Sequence, residues 1–196
     1  MEELFFRVMF SILWLIFFVS LTVVSHSAKG PARRQTTPHE GRLRVTAVVL
    51  AAIYFGGALF YILLPSWVMF LSIPLPDWFR SIMVGVAVLG LSWVFGGYWV
   101  LGKNWAPSVS GVRRDTVLVT TGLYGIVRHP IYLGIFISLT ALALMVANLL
   151  VILPTVALLI VLYASIDEEE IILIDRFGDE YREYKKRTPR FIPKLW

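Results

Sequence analysis

Two polar segments contain the residue types best suited to binding or catalysis. The first is Gly122–Gly134, in which Arg128 and His129 stand directly before Pro130. Proline favours the first turn of a helix, because an N–H at that position would have no helical partner anyway. The second is Asp167–Glu170, a run of four acidic residues. One segment precedes and the other follows the apolar stretch Ile131–Ile166, which is long enough to cross a membrane twice. We therefore expect both segments at the same face of the membrane.

The helix start at Pro130 is a candidate anion site. If Pro130 is the first helical residue, the N–H groups of Ile131, Tyr132 and Leu133 are free. Such a helix start attracts anions, including the carboxylate of a ligand. The alternative interpretation is that Arg128 is a cytoplasmic anchor, His129 a helix cap and Tyr132 an interfacial aromatic residue.

The acidic run is a candidate cation site. Four consecutive residues on a helix spread over about 300°, so at least one carboxylate must point into the bundle. If the last membrane span ends here, these carboxylates also oppose the helix dipole, which favours a cationic partner. We single out Glu168 and Glu169; the alternative is a solvated acidic collar. A helix start beside carboxylates suits a zwitterion such as S-adenosylmethionine, although the charges alone do not single it out.

The composition indicates a membrane protein. The 196 residues are 58% hydrophobic and 16% charged, with a mean hydropathy of +0.75. A soluble domain averages about 45–50% apolar and about 25% charged residues, so a water-soluble enzyme is excluded, as is a disordered chain. With no cysteine there is no disulfide framework and no thiolate metal site. We expect no metal and, despite the net charge of +5, no nucleic-acid partner.

Apolar stretches predict an all-α integral membrane protein with five transmembrane helices, since about 20 residues cross the hydrocarbon core. They are Leu4–Val24, Val45–Leu64, Ile82–Leu101 and the two halves of Ile131–Ile166, divided by a turn at Ala147–Asn148. The last two helices are predicted to form a helical hairpin, followed by a short amphipathic cytoplasmic C-terminal helix over Phe177–Arg187. The sequence predicts a single membrane domain over residues 1–196, with three N-terminal spans and their loops in 1–101 and a binding loop, the helical hairpin and the C-terminal helix in 102–196.

The basic residues predict the orientation. Sixteen of the 18 Lys and Arg residues lie in the segments 25–44, 102–130 and 167–196, whereas only Arg7 and Arg80 lie at the opposite face. The positive-inside rule therefore predicts an amino terminus outside and a carboxyl terminus and site in the cytoplasm.

The polar residues of the second half of the chain also form an ordered series. In sequence order they are Gly122-x-Tyr124, Arg128-His129-Pro130-x-Tyr132-x-Gly134, Glu168-Glu169, Phe177-Gly178-x-Glu180-Tyr181, Tyr184 and Arg187-x-Pro189. The series resembles the signature of the isoprenylcysteine carboxyl methyltransferase family over about residues 102–196. The short form resembles an archaeal or bacterial member.

The resemblance implies a membrane methyltransferase that binds S-adenosylmethionine outside a Rossmann domain; the chain has no G-x-G-x-x-G after a strand. Its cofactor residues would fall into three groups. The adenosine pocket would be lined by Val117, Leu118, Val119, Thr121, Gly122 and Tyr124; the methionine part would be held by His129, Pro130 and Tyr132; and the polar groups would be bound by Glu169 together with Glu168.

The resemblance further implies a carboxyl methyl ester on a lipophilic, prenylcysteine-like acceptor reached from the bilayer. From their position at the cytoplasmic face, Arg128 or Lys103 could hold the acceptor anion; the alternative for each is a cytoplasmic anchor. Eukaryotic members use a basic residue on the fifth helix shortly before the acidic pair, but here residues 162–165 are Leu, Tyr, Ala and Ser, which leaves the acceptor open. The alternatives are N- or O-methylation of a phospholipid or other lipid, and a small membrane transporter. The transporter is disfavoured because spans two to five contain no ionisable residue before Asp167. No obligate protein partner is evident.

Overall fold

A computed structural model describes residues 2–27, 38–102 and 117–192. These residues form seven α-helices and two short 3₁₀ turns, at Pro65–Trp67 and Met69–Leu71. The α-helices are α1 (Glu2–Ser27), α2 (Pro38–Leu63), α3 (Asp77–Leu101), α4 (Leu123–Ile126), α5 (Pro130–Val146), α6 (Leu149–Phe177) and α7 (Asp179–Arg187).

The described helices are those of a multi-pass membrane protein. Four of them, α1, α2, α3 and α6, are long and apolar enough to cross a membrane. The fifth apolar helix, α5, has 17 residues, fewer than the roughly 20 of a typical crossing. Many large apolar side chains on these helices are exposed, as lipid contact requires. Basic residues that contributed to the predicted orientation, Lys29, Arg33, Arg34, Lys103, Arg113, Arg114 and Lys194, lie outside the described residues.

The break between α5 and α6 falls at Ala147 and Asn148, where the sequence predicts a turn. Ala147 has a left-handed backbone with φ of 52°, and Asn148 is fully buried. The Asn148 side chain accepts a hydrogen bond from the N–H of Leu150 at 3.0 Å and donates to the carbonyl of Val68 at 2.9 Å. Both functions of the amide are therefore used, which explains a polar residue inside an apolar stretch.

The last membrane helix is longer than predicted. It continues beyond the acidic run to Phe177 and ends at Gly178, which has φ of +57°. The expectation that the acidic residues oppose the helix dipole at a carboxyl end is therefore wrong, because they lie about two turns before that end and the dipole effect is confined to the last turn. The C-terminal helix accordingly begins at Asp179, after the glycine break, and not at Phe177.

Close approach of glycines sets the position of α5. This helix packs chiefly against α3, whereas α6 packs chiefly against α2. A Cβ atom on Gly134 would lie 2.8 Å from the backbone nitrogen of Val94 and 2.9 Å from the carbonyl oxygen of Gly90. A side chain at Gly134 would therefore force the two helices apart. The chain after α6 folds back so that residues 178–191 contact the beginning of α5.

Arg80 joins three helices at the opposite end of the molecule. Its Nε donates to the carbonyl of Met145 at 2.8 Å, and its Nη2 donates to Glu3 at 3.2 Å. The guanidinium carbon also lies 3.9 Å from the centre of the Phe6 ring. Arg80 is buried, and these contacts connect α1 and α3 with the end of α5.

Candidate functional site

The start of α5 supplies donors for an anion. The helix begins at Pro130, as the sequence predicts, and His129 occupies the N-terminal cap position, as in the alternative interpretation. The prediction of three free N–H groups is wrong in one respect, because the N–H of Leu133 donates to the carbonyl of His129 at 3.0 Å. Within the described residues, the N–H groups of Ile131 and Tyr132 remain without a backbone acceptor.

Glu169 joins the acidic run to this helix start. The side chain of Tyr132 lies close enough to Glu169 for the two to interact, and the Tyr132 ring packs edge-on against His129 with centroids 5.8 Å apart. Both Glu168 and Glu169 are half-buried. The structure therefore brings together the predicted anion-binding helix start and one of the two predicted acidic residues.

The residues predicted for an adenosine pocket lie on an irregular segment and on the short helix α4. Tyr124 is buried, Leu118 and Val119 are half-buried, and Val117, Thr121 and Gly122 are exposed. Gly122 has φ of +59°, and a Cβ atom there would lie 3.1 Å from a methyl group of Val100 on α3. This segment therefore runs beside the end of α3, and Gly122 needs the space and the backbone freedom of glycine.

Glu170, which the sequence reasoning did not single out, is the centre of the charge network. Its side chain is only 2% exposed. Oε1 accepts from Arg128 Nη2 at 2.8 Å and lies 3.1 Å from His129 Nε2. Oε2 lies 2.6 Å from Lys185 Nζ and 3.0 Å from Arg190 Nη2. Several cationic donors thus offset the cost of burying this carboxylate.

A periodic signal could have identified Glu170. The buried positions of α6 are Val151, Thr155, Leu158, Ile166 and Glu170. Their separations of three, four and eight residues follow one helix face. Extending the apolar stripe of α6 into the acidic run therefore selects Glu170 over its neighbours.

Arg128 connects α6 to the C-terminal segment. Its Nε also donates to Glu170, at 3.2 Å, while Nη1 donates to the carbonyls of Lys185, at 3.2 Å, and Thr188. The side chain is 8% exposed. These bonds engage all three guanidinium nitrogens, and the contact of Arg128 with an acceptor anion stays a prediction. Lys103, the other residue considered for that role, lies outside the described residues.

The C-terminal segment is attached to the helix start through its backbone. The N–H of Arg128 donates to the carbonyl of Pro189 at 2.8 Å, and that of His129 donates to the carbonyl of Arg190 at 3.4 Å. Arg190 Nη2 also donates to Asp167 at 2.8 Å. The two predicted polar segments are thus held together by a third segment, residues 178–191.

Two tyrosines of this segment, Tyr181 and Tyr184 on α7, are buried. The hydroxyl of Tyr184 donates to the carbonyl of Tyr124 at 2.6 Å, whereas the buried hydroxyl of Tyr181 has no hydrogen-bond partner among the described residues. Burial raises the pKa of both phenols above the ordinary value of 10.0. Both side chains therefore favour the neutral form.

Comparison with known proteins follows the same part of the chain. A sequence model of the isoprenylcysteine carboxyl methyltransferase family matches residues 83–175. The protein-S-isoprenylcysteine O-methyltransferase of Schizosaccharomyces pombe is 35% identical over 99 residues, which are 48% of this chain and 41% of that protein. The nickel-cobalt-cadmium resistance protein NccN of Alcaligenes xylosoxydans xylosoxydans is 28% identical over 118 residues, 60% of this chain and 53% of that protein. The chain thus spans about half the length of these relatives.

The whole chain also resembles a solved structure. The eukaryotic intramembrane Ras methyltransferase ICMT covers 100% of this chain and 68% of its own length, with a TM-score of 0.67 and 21% sequence identity. This likeness shows the shared helical fold. In the described residues no group of three His, Asp or Glu side chains is arranged to hold a metal ion.

Proposed function

Through residues 83–175 this chain belongs to the isoprenylcysteine carboxyl methyltransferase family, and on that premise we propose that it is an S-adenosylmethionine-dependent membrane methyltransferase. The proposed product is a carboxyl methyl ester on a lipophilic, prenylcysteine-like acceptor. The observation that carries the proposal is the junction at the start of α5, where the N–H groups of Ile131 and Tyr132 have no backbone acceptor among the described residues and the Tyr132 side chain lies within reach of Glu169.

The groups at this junction fit the chemistry of the cofactor. S-adenosylmethionine has a carboxylate, which suits the two N–H groups and the helix start, and cationic groups, which suit Glu169. We propose that His129, Pro130, Ile131, Tyr132, Glu168 and Glu169 hold its amino-acid part. Its adenosine part would lie against Val117, Leu118, Val119, Thr121, Gly122 and Tyr124. When bound, the cofactor supplies a methyl group on a positively charged sulfur.

The protein's contribution to such a transfer is positioning and exclusion of water. An acceptor carboxylate is already ionised at pH 7, so no side chain has to remove a proton. Holding the acceptor oxygen in line with the methyl group supplies a large part of the rate. His129 and Tyr124 are buried, and the removal of water from this region would strengthen attraction between the anionic acceptor and the cationic donor.

We further propose five membrane crossings, with α5 and α6 as a hairpin, the amino terminus outside and the site in the cytoplasm. The distribution of basic residues supports this orientation. Because the chain has no cysteine, Ser66→Cys and Asp179→Cys each introduce a single label site at an exposed position. In intact cells an impermeant maleimide should label position 66 alone. Labelling at position 179 would contradict the five-crossing topology.

Calorimetric binding of S-adenosylhomocysteine tests the proposed cofactor. The purified wild-type protein should bind it, and Glu169→Gln and His129→Ala should each weaken binding about ten-fold or more, the loss expected for one charge-assisted hydrogen bond. Glu180→Gln changes an exposed carboxylate on α7 and is the matched control. No binding by the wild type would contradict the proposal.

The acceptor class is tested by transfer of a labelled methyl group. A prenylcysteine analogue should yield a base-labile ester. Transfer to phosphatidylethanolamine with a base-stable product would instead identify lipid N-methylation, the alternative function.

A further inference from the structure

A row of aromatic rings connects the helix start with the outer surface of α6. The Tyr132 ring lies 6.3 Å from Phe136, Phe136 lies 5.4 Å from Phe191, and Phe191 lies 6.2 Å from Tyr163, measured between centroids. Phe191 also lies 6.4 Å from His129. His129 is 4% exposed and Tyr163 is 50% exposed. The row therefore leads from the buried site to the apolar surface between α5 and α6.

Arg190 places a positive charge at the exposed end of this row. Its guanidinium carbon lies 5.9 Å from the centre of the Tyr163 ring, and its side chain is 24% exposed. Nε and Nη2 are bonded to Glu170 and Asp167. Nη1 has no hydrogen-bond partner within the part of the chain that the structure describes, so this edge of the guanidinium can still bind an anion.

The other cations of the network are less suited to that role. Arg128 has its donors committed to Glu170 and to two backbone carbonyls. Lys185 lies on α7, the polar C-terminal helix, with Nζ 2.6 Å from Glu170. The turn of α6 formed by residues 162–165 has no basic side chain of its own. Arg190 is thus the described cation that lies beside the aromatic row and also has a free donor.

We propose that Arg190 selects the acceptor, with Nη1 binding its carboxylate while Phe136, Tyr163 and Phe191 contact its apolar chain. This inference rests on the proposed methyltransferase function and adds to it the residue that recognises the carboxylate of the acceptor. A guanidinium N–H group without a partner in the protein can donate a charge-assisted hydrogen bond to a carboxylate. A neutral head group would leave that donor edge unpaired.

Binding of an N-acetyl-S-prenylcysteine and of its carboxamide to the full-length protein in micelles tests the proposal without turnover. The wild type should bind the acid about ten- to hundred-fold more tightly than the amide, the preference expected for a charge-assisted hydrogen bond. Arg190→Gln should reduce this preference to less than about three-fold. Lys185→Gln removes another cation from Glu170 but none beside Tyr163, so it should retain most of the preference. In turnover, Arg190→Gln should raise the acceptor KM and change the KM for the methyl donor much less.

Several outcomes would overturn the proposal. They are a wild type that binds acid and amide equally, an Arg190→Gln protein that keeps the full preference, or a Lys185→Gln protein that loses it to the same extent. Two competitors of the bound acid distinguish an acceptor site from a lipid anchor: phosphatidic acid vesicles and a soluble prenylcysteine acid with a shorter chain. If only the vesicles displace the bound acid, Arg190 is a lipid anchor and the proposal is wrong. Binding of S-adenosylhomocysteine is measured on each protein: its absence from the wild type refutes the proposed function, whereas its presence with no acid preference refutes this inference alone. If Arg190→Gln does not fold, the proposal is tested by the preference of the wild type for the acid over the amide and by Phe191→Leu. That variant should weaken the binding of acid and amide equally.

Discussion

Substitution of Glu170 by Gln should destabilise the protein more than any other single carboxylate substitution in the C-terminal half. The Glu170 side chain is 2% exposed and lies within 3.0 Å of nitrogen atoms of Arg128, Lys185 and Arg190. Glutamine has nearly the same shape, but it has no charge and turns one N–H₂ group toward these cations. Removing one partner of a buried ion pair typically costs about 3–5 kcal/mol, and Asp167 remains to compensate only Arg190.

The matched control is Glu183→Gln on α7. Glu183 lies 2.6 Å from Lys186, but these side chains are 59% and 71% exposed. The hydrogen bond with Lys186 lowers the pKa of Glu183, yet solvent screens such exposed pairs and little stability depends on them. Its unfolding midpoint should therefore stay within error of the wild type.

Unfolding of both variants in mixed micelles with a rising fraction of denaturing detergent measures the difference. A second readout separates the role of the network from general stability: Glu170→Gln should also expose residues 178–191 to limited proteolysis, because Arg128 and Arg190 lose their common acceptor. If Glu170→Gln unfolds within about 1 kcal/mol of the wild type, or if Glu183→Gln has an equal effect, the buried network does not hold the C-terminal segment.

Three further predictions concern packing and buried tyrosines. Tyr184→Phe should lower the free energy of unfolding by about 1–2 kcal/mol, because the buried carbonyl of Tyr124 loses its donor. Tyr181→Phe should be neutral or stabilising, since it removes a hydroxyl without a described partner, and equal unfolding midpoints of the two variants in micelles would contradict this. Gly134→Ala should cost about 1–3 kcal/mol through backbone clashes below 3 Å, whereas Gly85→Ala, with no atom within 4 Å, should be neutral or gain up to about 1 kcal/mol from helix propensity, and thermal unfolding distinguishes the two. Burial raises the folded-state pKa of Tyr181 and Tyr184 above 10.0, so the unfolded chain loses these protons first. Their contribution to stability should therefore be complete below about pH 10 and should fall as the pH rises further. If Tyr181→Phe leaves the slope of stability against pH above 10 unchanged, this prediction is wrong.

Sequence reasoning was most successful where structure depends on neighbouring residues. Pro130 begins α5 and Asn148 begins the connection to α6 because each residue has a strong local preference, for a first helical turn and for a helix cap respectively. The predicted end of α6, at Ile166, was wrong, because the helix continues to Phe177. Loss of hydrophobicity at Asp167 indicates where the apolar stretch stops, but acidic residues also form helix, and the helix continues to the glycine that breaks it.

The candidate site was predicted in part. Tyr132 and Glu169 are brought together, in agreement with the expectation that a helix start meets the acidic run. The choice of acidic residue for the buried position was less successful, because membership of a four-residue run does not say which carboxylate faces inward. Only the register of the apolar stripe along α6 favours Glu170.

By itself, the sequence determined that this is a helical membrane protein with its polar chemistry in two segments, because hydropathy, proline and asparagine act over one or two helical turns. The tertiary structure decided which groups share a site. Glu170 meets His129 across 41 residues of sequence and Arg190 across 20, and Arg190 reaches Tyr163 only because the chain turns back at Gly178. These pairings depend on how helices pack and where the last segment returns, and no local preference of the residues encodes that geometry.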